Sequence, residues 1–177
     1  MLINNAGFGI CGKFDEIDLN TEMEMINTNI RAVHILTKLF LKDMKKRDSG
    51  YILNVASSAA FEPGPLMATY YSTKAYVLHL TEAIAYDLKK DDSNVHISCL
   101  CPGPVDTNFN EVAGVKFAMK PLTAEYVAKY AVDQMFKNKL LIVPGFKMKC
   151  ARFFGRFLSD RKLMSITYKI QKKKKEK

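Results

Sequence analysis

In the stretch TYYSTKAYV, Tyr70 and Lys74 stand four residues apart at the start of a helical pattern. That spacing places the two side chains one above the other on a single helix face. A lysine cation beside a phenol favours the phenolate and lowers a pKa that is about 10 in water. Such a pair is equipped for acid/base work near neutral pH. The same spacing also serves any solvated i, i+4 pair, so the surroundings decide. Thirteen residues upstream of Tyr70, Ser57 follows the apolar run YILNVA, and the rigid turn Cys-Pro-Gly-Pro-Val-Asp-Thr, ending at Thr107, closes the apolar run VHISCLC. As strands of one parallel sheet, these runs put both turns at the C-terminal edge, where open α/β sheets bind ligands. Asn29 flanks the apolar stripe of an earlier helix. A buried amide needs partners, and simple helix packing is the plainer use for it.

The opening MLINNAGFGICG carries a literal G-x-G-x-x-G at Gly7, Gly9 and Gly12. A dinucleotide fingerprint needs a helix opening inside the glycines and an acidic residue about 20 positions on, after a second strand. Here the glycines run into the polar KFDEIDLN and then a long helical pattern. They fail as a fingerprint. Cys11, Cys99, Cys101 and Cys150 show no C-x-x-C and no His-rich spacing. Cys99 and Cys101 point to one face of a strand and read as buried free thiols. That fits a reduced, cytosolic setting and no metal site.

Four apolar runs must position these groups: MLIN, 51–56, 95–101 and 139–143. They are continuous rather than alternating, as in strands covered on both faces. Between them lie helical patterns. The first opens at Thr21, with Glu24 completing a capping box. It continues through an apolar stripe of Ile26, Ile30, Val33, Leu36, Phe40 and Met44. The second, 70–90, has one apolar side at Val77, Leu80, Ile84 and Leu88 and another at Tyr76 and Ala83, which suits packing on the sheet and on a second subunit. The third spans 123–137. Strand–helix alternation of this kind builds an open α/β sheet from right-handed βαβ units.

Charge is concentrated at one end. Residues 147–177 hold twelve Lys/Arg against Asp160 and Glu176, a net of +10, and the preceding 146 residues carry 15 basic and 16 acidic side chains, a net of −1. Phe153, Phe154, Phe157 and Leu158 form one side of a short helix there, with Arg152, Arg156, Arg161 and Lys162 around it. Such a segment packs on the body or lies on an anionic membrane. With no aromatic-and-basic module elsewhere, nucleic acid is not expected. No apolar run approaches the roughly 20 residues of a membrane span, and no basic n-region precedes the first apolar stretch.

Taken in order, Asn4-Asn5-Ala6-Gly7, the helix Asn29, the strand-end Ser57, Tyr70-x-x-x-Lys74 and the turn Pro102-Gly103-Pro-Val105-Asp-Thr107 resemble the short-chain dehydrogenase/reductase family. The resemblance runs from Leu2 to about Gly145. It implies a Rossmann-like parallel sheet with helices on both faces over 1–145, followed by a basic amphipathic segment and lysine tail over 146–177. It implies an NAD- or NADP-dependent oxidoreductase interconverting a carbonyl and an alcohol. Tyr70 would exchange the proton and Ser57, rather than Ser58, would hold the substrate oxygen. Lys74 would lower the Tyr70 pKa and hold the nicotinamide ribose, and Asn29 would kink its helix around a water linking Lys74 to solvent.

By the same resemblance, Asn4, Ala6 and Gly7 would lie near the adenosine, and Pro102, Gly103, Val105 and Thr107 would hold the nicotinamide end. A homodimer through the Asn29 and Tyr70 helices and a small carbonyl or alcohol substrate follow. An apolar one fits the apolar residues Phe109, Val115, Phe117 and Met119, which suit core packing equally. The family's Gly-rich pyrophosphate turn and its NAD/NADP-selecting residue have no counterpart here. The expectation is a chain truncated at its N-terminus, beginning at the family's fourth strand, with weakened dinucleotide affinity. The rival expectation is an inactive fragment or an interaction module.

Overall fold

The four apolar runs pair side by side, all parallel, in the computed structural model, which describes residues 1–109, 113–114 and 120–175, with side chains to 172. Strand β1 (Leu2–Asn4) leads through the glycine-containing loop to α1 (Leu19–Ile26). A π-helical turn, Asn27–Ala32, joins α1 to α2 (Val33–Lys46). Then come β2 (Gly50–Val55), a 3₁₀ turn at Ser58–Phe61, α3 (Ala68–Lys90) and β3 (Val95–Leu100). The short β4 (Val105–Asp106) and β5 (Leu122–Thr123) pair with one another, which the sequence patterns did not foreshadow. Helix α4 (Ala124–Met135), β6 (Leu141–Ile142), α5 (Phe146–Gly155) and α6 (Asp160–Lys175) complete the chain.

The main sheet runs β1-β2-β3-β6, with Leu2 beside Ile52, Ile52 beside Ile97 and Cys99 beside Leu141. Alternate residues of each strand feed two cores. Ile52 and Ile97 meet Met44 and Leu88 of α2 and α3 on one face. Leu53 and Leu100 meet Val127, Ala131 and Met135 of α4 on the other. This is the Rossmann-like arrangement, helices on both faces of a parallel sheet, and it explains why the strands show no polar alternation. A buried polar seam crosses the first core. Asn4 donates to Thr37 Oγ1 (3.0 Å) and to Asn54 Oδ1 (2.7 Å), and Asn54 donates to Thr81 Oγ1 (3.0 Å).

Three local expectations are corrected. The first helix begins at Leu19, not Thr21, because Asp18 is the N-cap: its carboxylate accepts from the Thr21 backbone N–H at 2.9 Å and from the Thr21 hydroxyl at 3.0 Å. The helix is also not continuous, being interrupted by the π turn. And its apolar stripe is divided. Val33 and Met44 are buried, whereas Leu36 and Phe40 are 40 % and 43 % exposed, because the inward positions between them go to Thr37 and its polar seam.

Candidate active site

The ends of β2 and β3 are held together past their last ladder residues. Ala56 N–H donates to Leu100 O and Ser58 N–H to Pro102 O, each at 2.8 Å. This fixes Ser57 at the C-terminal edge of the sheet, where its hydroxyl accepts from Ala59 N–H at 3.1 Å and caps the 3₁₀ turn. Helix α3 delivers Tyr70 and Lys74 to the same edge. Lys74 Nζ donates to Val55 O (3.0 Å), the last residue of β2, and lies 5.9 Å from the centre of the Tyr70 ring. Both side chains are buried, Tyr70 at 8 % exposure and Lys74 at 5 %. Ser57, Tyr70 and Lys74 are thus brought together.

Burial governs their titration. It pushes the Tyr70 phenol up to about 12, with the hydrogen bond from the Ser57 hydroxyl pulling the other way. It pushes the Lys74 ammonium down to about 8. The expectation that Lys74 lowers the Tyr70 pKa is therefore corrected for this structure. The ammonium stands off the ring and is itself desolvated, so loss of water outweighs its field. At neutral pH the phenol carries its proton.

Asn29 is wholly buried in the π turn and bridges three segments. Its Nδ2 donates to Phe8 O (2.8 Å) and to Thr73 Oγ1 (3.0 Å), and its Oδ1 accepts from Phe8 N–H (3.1 Å). Thr73 in turn donates to Tyr70 O at 2.7 Å. The amide thus ties the Gly7–Gly9 loop to the helix that carries Tyr70. The backbone departs from α geometry there, and both hydrogens of the Asn29 amide are committed, to Phe8 O and to Thr73 Oγ1.

The glycines of the opening loop have a different use from phosphate binding. A Cβ on Gly9 would meet the Tyr70 ring at 2.8 Å and Phe109 at 3.0 Å. A Cβ on Gly7 would meet Asn29 Oδ1 at 2.9 Å and Lys74 Nζ at 3.0 Å. Both positions need a residue without a side chain, because functional side chains close over them. The Asn4-Asn5-Ala6-Gly7 motif divides: Asn5, Ala6 and Gly7 are exposed beyond the strand, while Asn4 is 6 % exposed. The Asn4 side chain, expected at the cofactor, is instead part of the buried seam with Thr37 and Asn54.

In the turn after β3, Gly103 lies under Met148 of α5, whose Cγ would be 2.7 Å from an added Cβ. Pro104 O accepts from Leu122 N–H (3.0 Å), and Val105 pairs with Leu122. Pro102 and Val105 are half-buried, and Thr107 is exposed, its hydroxyl oxygen accepting from Phe109 N–H at 3.3 Å. Phe109 covers the Tyr70 ring, centroids 5.4 Å apart. Val115, Phe117 and Met119 lie outside the described residues. A groove of about 430 Å³ between α3, the 3₁₀ turn and the C-terminal helices does not reach Tyr70. Motif reading missed Gly9, Thr73 and Gln171, whose Nε2 donates to Tyr71 OH (2.5 Å) across 100 residues of chain. Thr73, directly before Lys74, had a signal in its position alone. Among the described residues no group of three or more His, Cys, Asp or Glu could hold a metal ion, and none of the four cysteines is in a disulfide, Cys99 and Cys101 having their sulfurs 3.8 Å apart.

Comparison with known proteins agrees with this fold. The family model described as short chain dehydrogenase matches residues 1–116. Ketoacyl reductase HetN of Nostoc sp. is 38% identical over 148 residues, which cover 78% of this chain and 48% of that protein. Dehydrogenase/reductase SDR family member 4 of Bos taurus is 34% identical over 113 residues, covering 63% of this chain and 40% of its own length. The chain therefore spans less than half the length of either curated relative. A short-chain dehydrogenase from Sphingobium yanoikuyae, solved in complex with NADPH, shares the fold with a TM-score of 0.77 at 23% identity, over 93% of this chain and 64% of that one. With most of its residues inside the family match and the fold in common, the chain belongs to the short-chain dehydrogenase/reductase family.

Proposed function

We propose that this chain carries the catalytic residues of an NAD- or NADP-dependent oxidoreductase that interconverts a carbonyl and an alcohol. The observation that carries the reading is the convergence of Ser57, Tyr70 and Lys74 at the C-terminal edge of the sheet, with Lys74 Nζ donating to Val55 O and standing 5.9 Å from the centre of the Tyr70 ring. A nicotinamide fits the residues present. Gly7 sets bare backbone against Asn29 Oδ1 and Lys74 Nζ, so that no side chain of the opening loop screens the ammonium. Lys74 donates to Val55 O and, among the described residues, makes no other hydrogen bond, so two ammonium protons are available for ribose hydroxyls. The relative solved with NADPH supports the same class of cofactor. When bound, the nicotinamide supplies or accepts the hydride.

The protein's own part is positioning and proton transfer. Ser57 holds the substrate oxygen against Tyr70, and Tyr70 gives that oxygen its proton in reduction or takes it in oxidation. Lys74 places positive charge below the phenol and holds the ribose. Asn29 supports Lys74 from across Gly7 and is the route by which a water would link it to solvent. Val105 and Thr107 hold the nicotinamide end, with Pro102 and Gly103 shaping that turn, while Ala6 and Gly7 line the adenosine side. The substrate is a small, apolar carbonyl or alcohol, in keeping with Phe109 over the Tyr70 ring. The working assembly is a homodimer through α2 and α3, which leave Ile35, Leu39, Phe40, Tyr76 and Tyr86 exposed.

The test is Tyr70→Phe in the protein as its cell makes it, followed by reduced-nicotinamide absorbance with a panel of ketones and alcohols. The expected outcome is a fall in kcat/KM of about 100-fold or more, with cofactor affinity measured by fluorescence titration unchanged. Turnover equal to that of the parent protein would overturn the assignment.

A further inference from the structure

Helix α5 turns two unlike faces to its surroundings. Met148 lies on Gly103 of the turn after β3, and Arg152 stacks on Phe61 with its guanidinium 4.9 Å from the ring centre. Opposite them, Phe146, Phe153, Phe154 and Phe157 are 80%, 57%, 63% and 75% exposed. Steps of seven and one residues keep Phe146, Phe153 and Phe154 on one side of α5, and Phe157 follows in the turn just beyond its end. Phe153 meets Phe154 and Phe157 edge-on at 5.4 and 5.5 Å, so these three rings form a contiguous aromatic ridge standing in water, with Phe146 two turns before it. Lys147, Lys149 and Arg156 flank it, and Arg161 and Lys162 follow at the start of α6. Isolated exposed apolar residues need no explanation, but a contiguous apolar ridge with a polar rim marks a contact surface.

We propose that α5 is a peripheral anchor that seats its phenylalanine ridge in the surface of an anionic lipid bilayer. Its ten residues span about 15 Å, and no helix among the described residues is long and apolar enough to cross a membrane. The helix lies in the plane of the interface, rings among the acyl chains and cationic side chains at headgroup level. The net charge of +10 over residues 147–177 supplies the complementary attraction. A second copy of this chain is the poorer occupant. A self-complementary contact across the ridge would set Lys and Arg against Lys and Arg. The assignment is independent of any catalytic role.

Co-sedimentation of the full chain with phosphatidylcholine vesicles, with and without phosphatidylserine, tests it. The anionic vesicles are expected to bind at least about tenfold more protein than the neutral ones. The variant Phe153→Ser/Phe154→Ser/Phe157→Ser should lose at least about tenfold of that binding. Phe14→Ser, which alters an exposed ring in the loop before α1, should bind like the parent chain, and melting curves establish that each variant is folded. Absence of binding to anionic vesicles overturns the proposal. So does equal binding by the triple variant, which would leave only general attraction to polyanions such as nucleic acid. Loss of self-association by the triple variant in light scattering, with no vesicle binding by the parent, would make the ridge a contact between copies.

Discussion

Lys74 sits at 5% exposure with one backbone carbonyl as acceptor, and desolvation brings its pKa from 10.5 to about 8. The depressed value has a definite consequence for stability. Between about pH 8 and 10.5 the unfolded chain holds a proton that native Lys74 has lost, so this group makes stability rise with pH, by at most about 1.4 kcal/mol per unit. Below about pH 8 the penalty of the buried charge is fully present. Cys101, raised by its neighbour Cys99 and by burial, acts with the opposite sign in the alkaline range. The useful quantity is therefore a difference. Urea midpoints of the parent chain and of Lys74→Met, compared at pH 7.5 and about 9.5, should show Lys74→Met ahead at the lower pH and losing that advantage at the higher. An advantage independent of pH would mean that Lys74 is not buried as a cation.

At the scale of elements, the π turn is the joint on which the site depends. It places Asn29 where one amide holds the backbone of Phe8 and the hydroxyl of Thr73, joining α1, the opening loop and α3. Single extra-residue turns in helices recur at functional sites, and here the reason is visible in the three bonds. Asn29→Ala leaves the Phe8 N–H and C=O without this partner, and the expected cost is about 3 kcal/mol. Asp18→Ala, which removes an exposed N-cap of α1 and nothing else, should cost about 1 kcal/mol. Denaturant midpoints at constant m order the two. Equal costs would show that the Asn29 bridge contributes no more than an ordinary cap.

For the whole molecule, the two helices that support the site also carry its outward apolar surface. Ile35, Leu36, Leu39 and Phe40 of α2 are 40–57% exposed, and Tyr76 and Tyr86 of α3 are 36% and 60% exposed. A dimer formed there would cover them and stiffen the helix that bears Tyr70. Leu39→Glu together with Phe40→Glu is expected to give monomers by light scattering, with no change in helical content. A parent chain that is itself monomeric would remove the dimer. At the other end of the molecule, α6 is fastened to the body by Gln171, 1% exposed and donating to Tyr71 OH, and by Thr167, buried at 3%. This fastening leaves the α5 ridge facing outward.

By itself the sequence determined the four strands of the main sheet and the helices between them, and it placed Tyr70 and Lys74 on one face of a helix. Strands buried on both faces must be apolar throughout, and residues four apart on a helix must share a face. Both constraints act over a few residues and are legible there. The coincidental glycine pattern could also be dismissed locally, since no helix opened within it. Only the tertiary structure decided the rest. Asn4 was drawn inward by Thr37 and Asn54, partners 33 and 50 residues away. Gly9 is required because Tyr70 and Phe109 close over it, and half of an apolar stripe faces outward because Thr37 occupies the inward position. The Tyr70 pKa moved opposite to the expectation from its spacing to Lys74, because desolvation depends on every neighbour that excludes water. Spacing specifies which groups meet; packing specifies how much water remains between them.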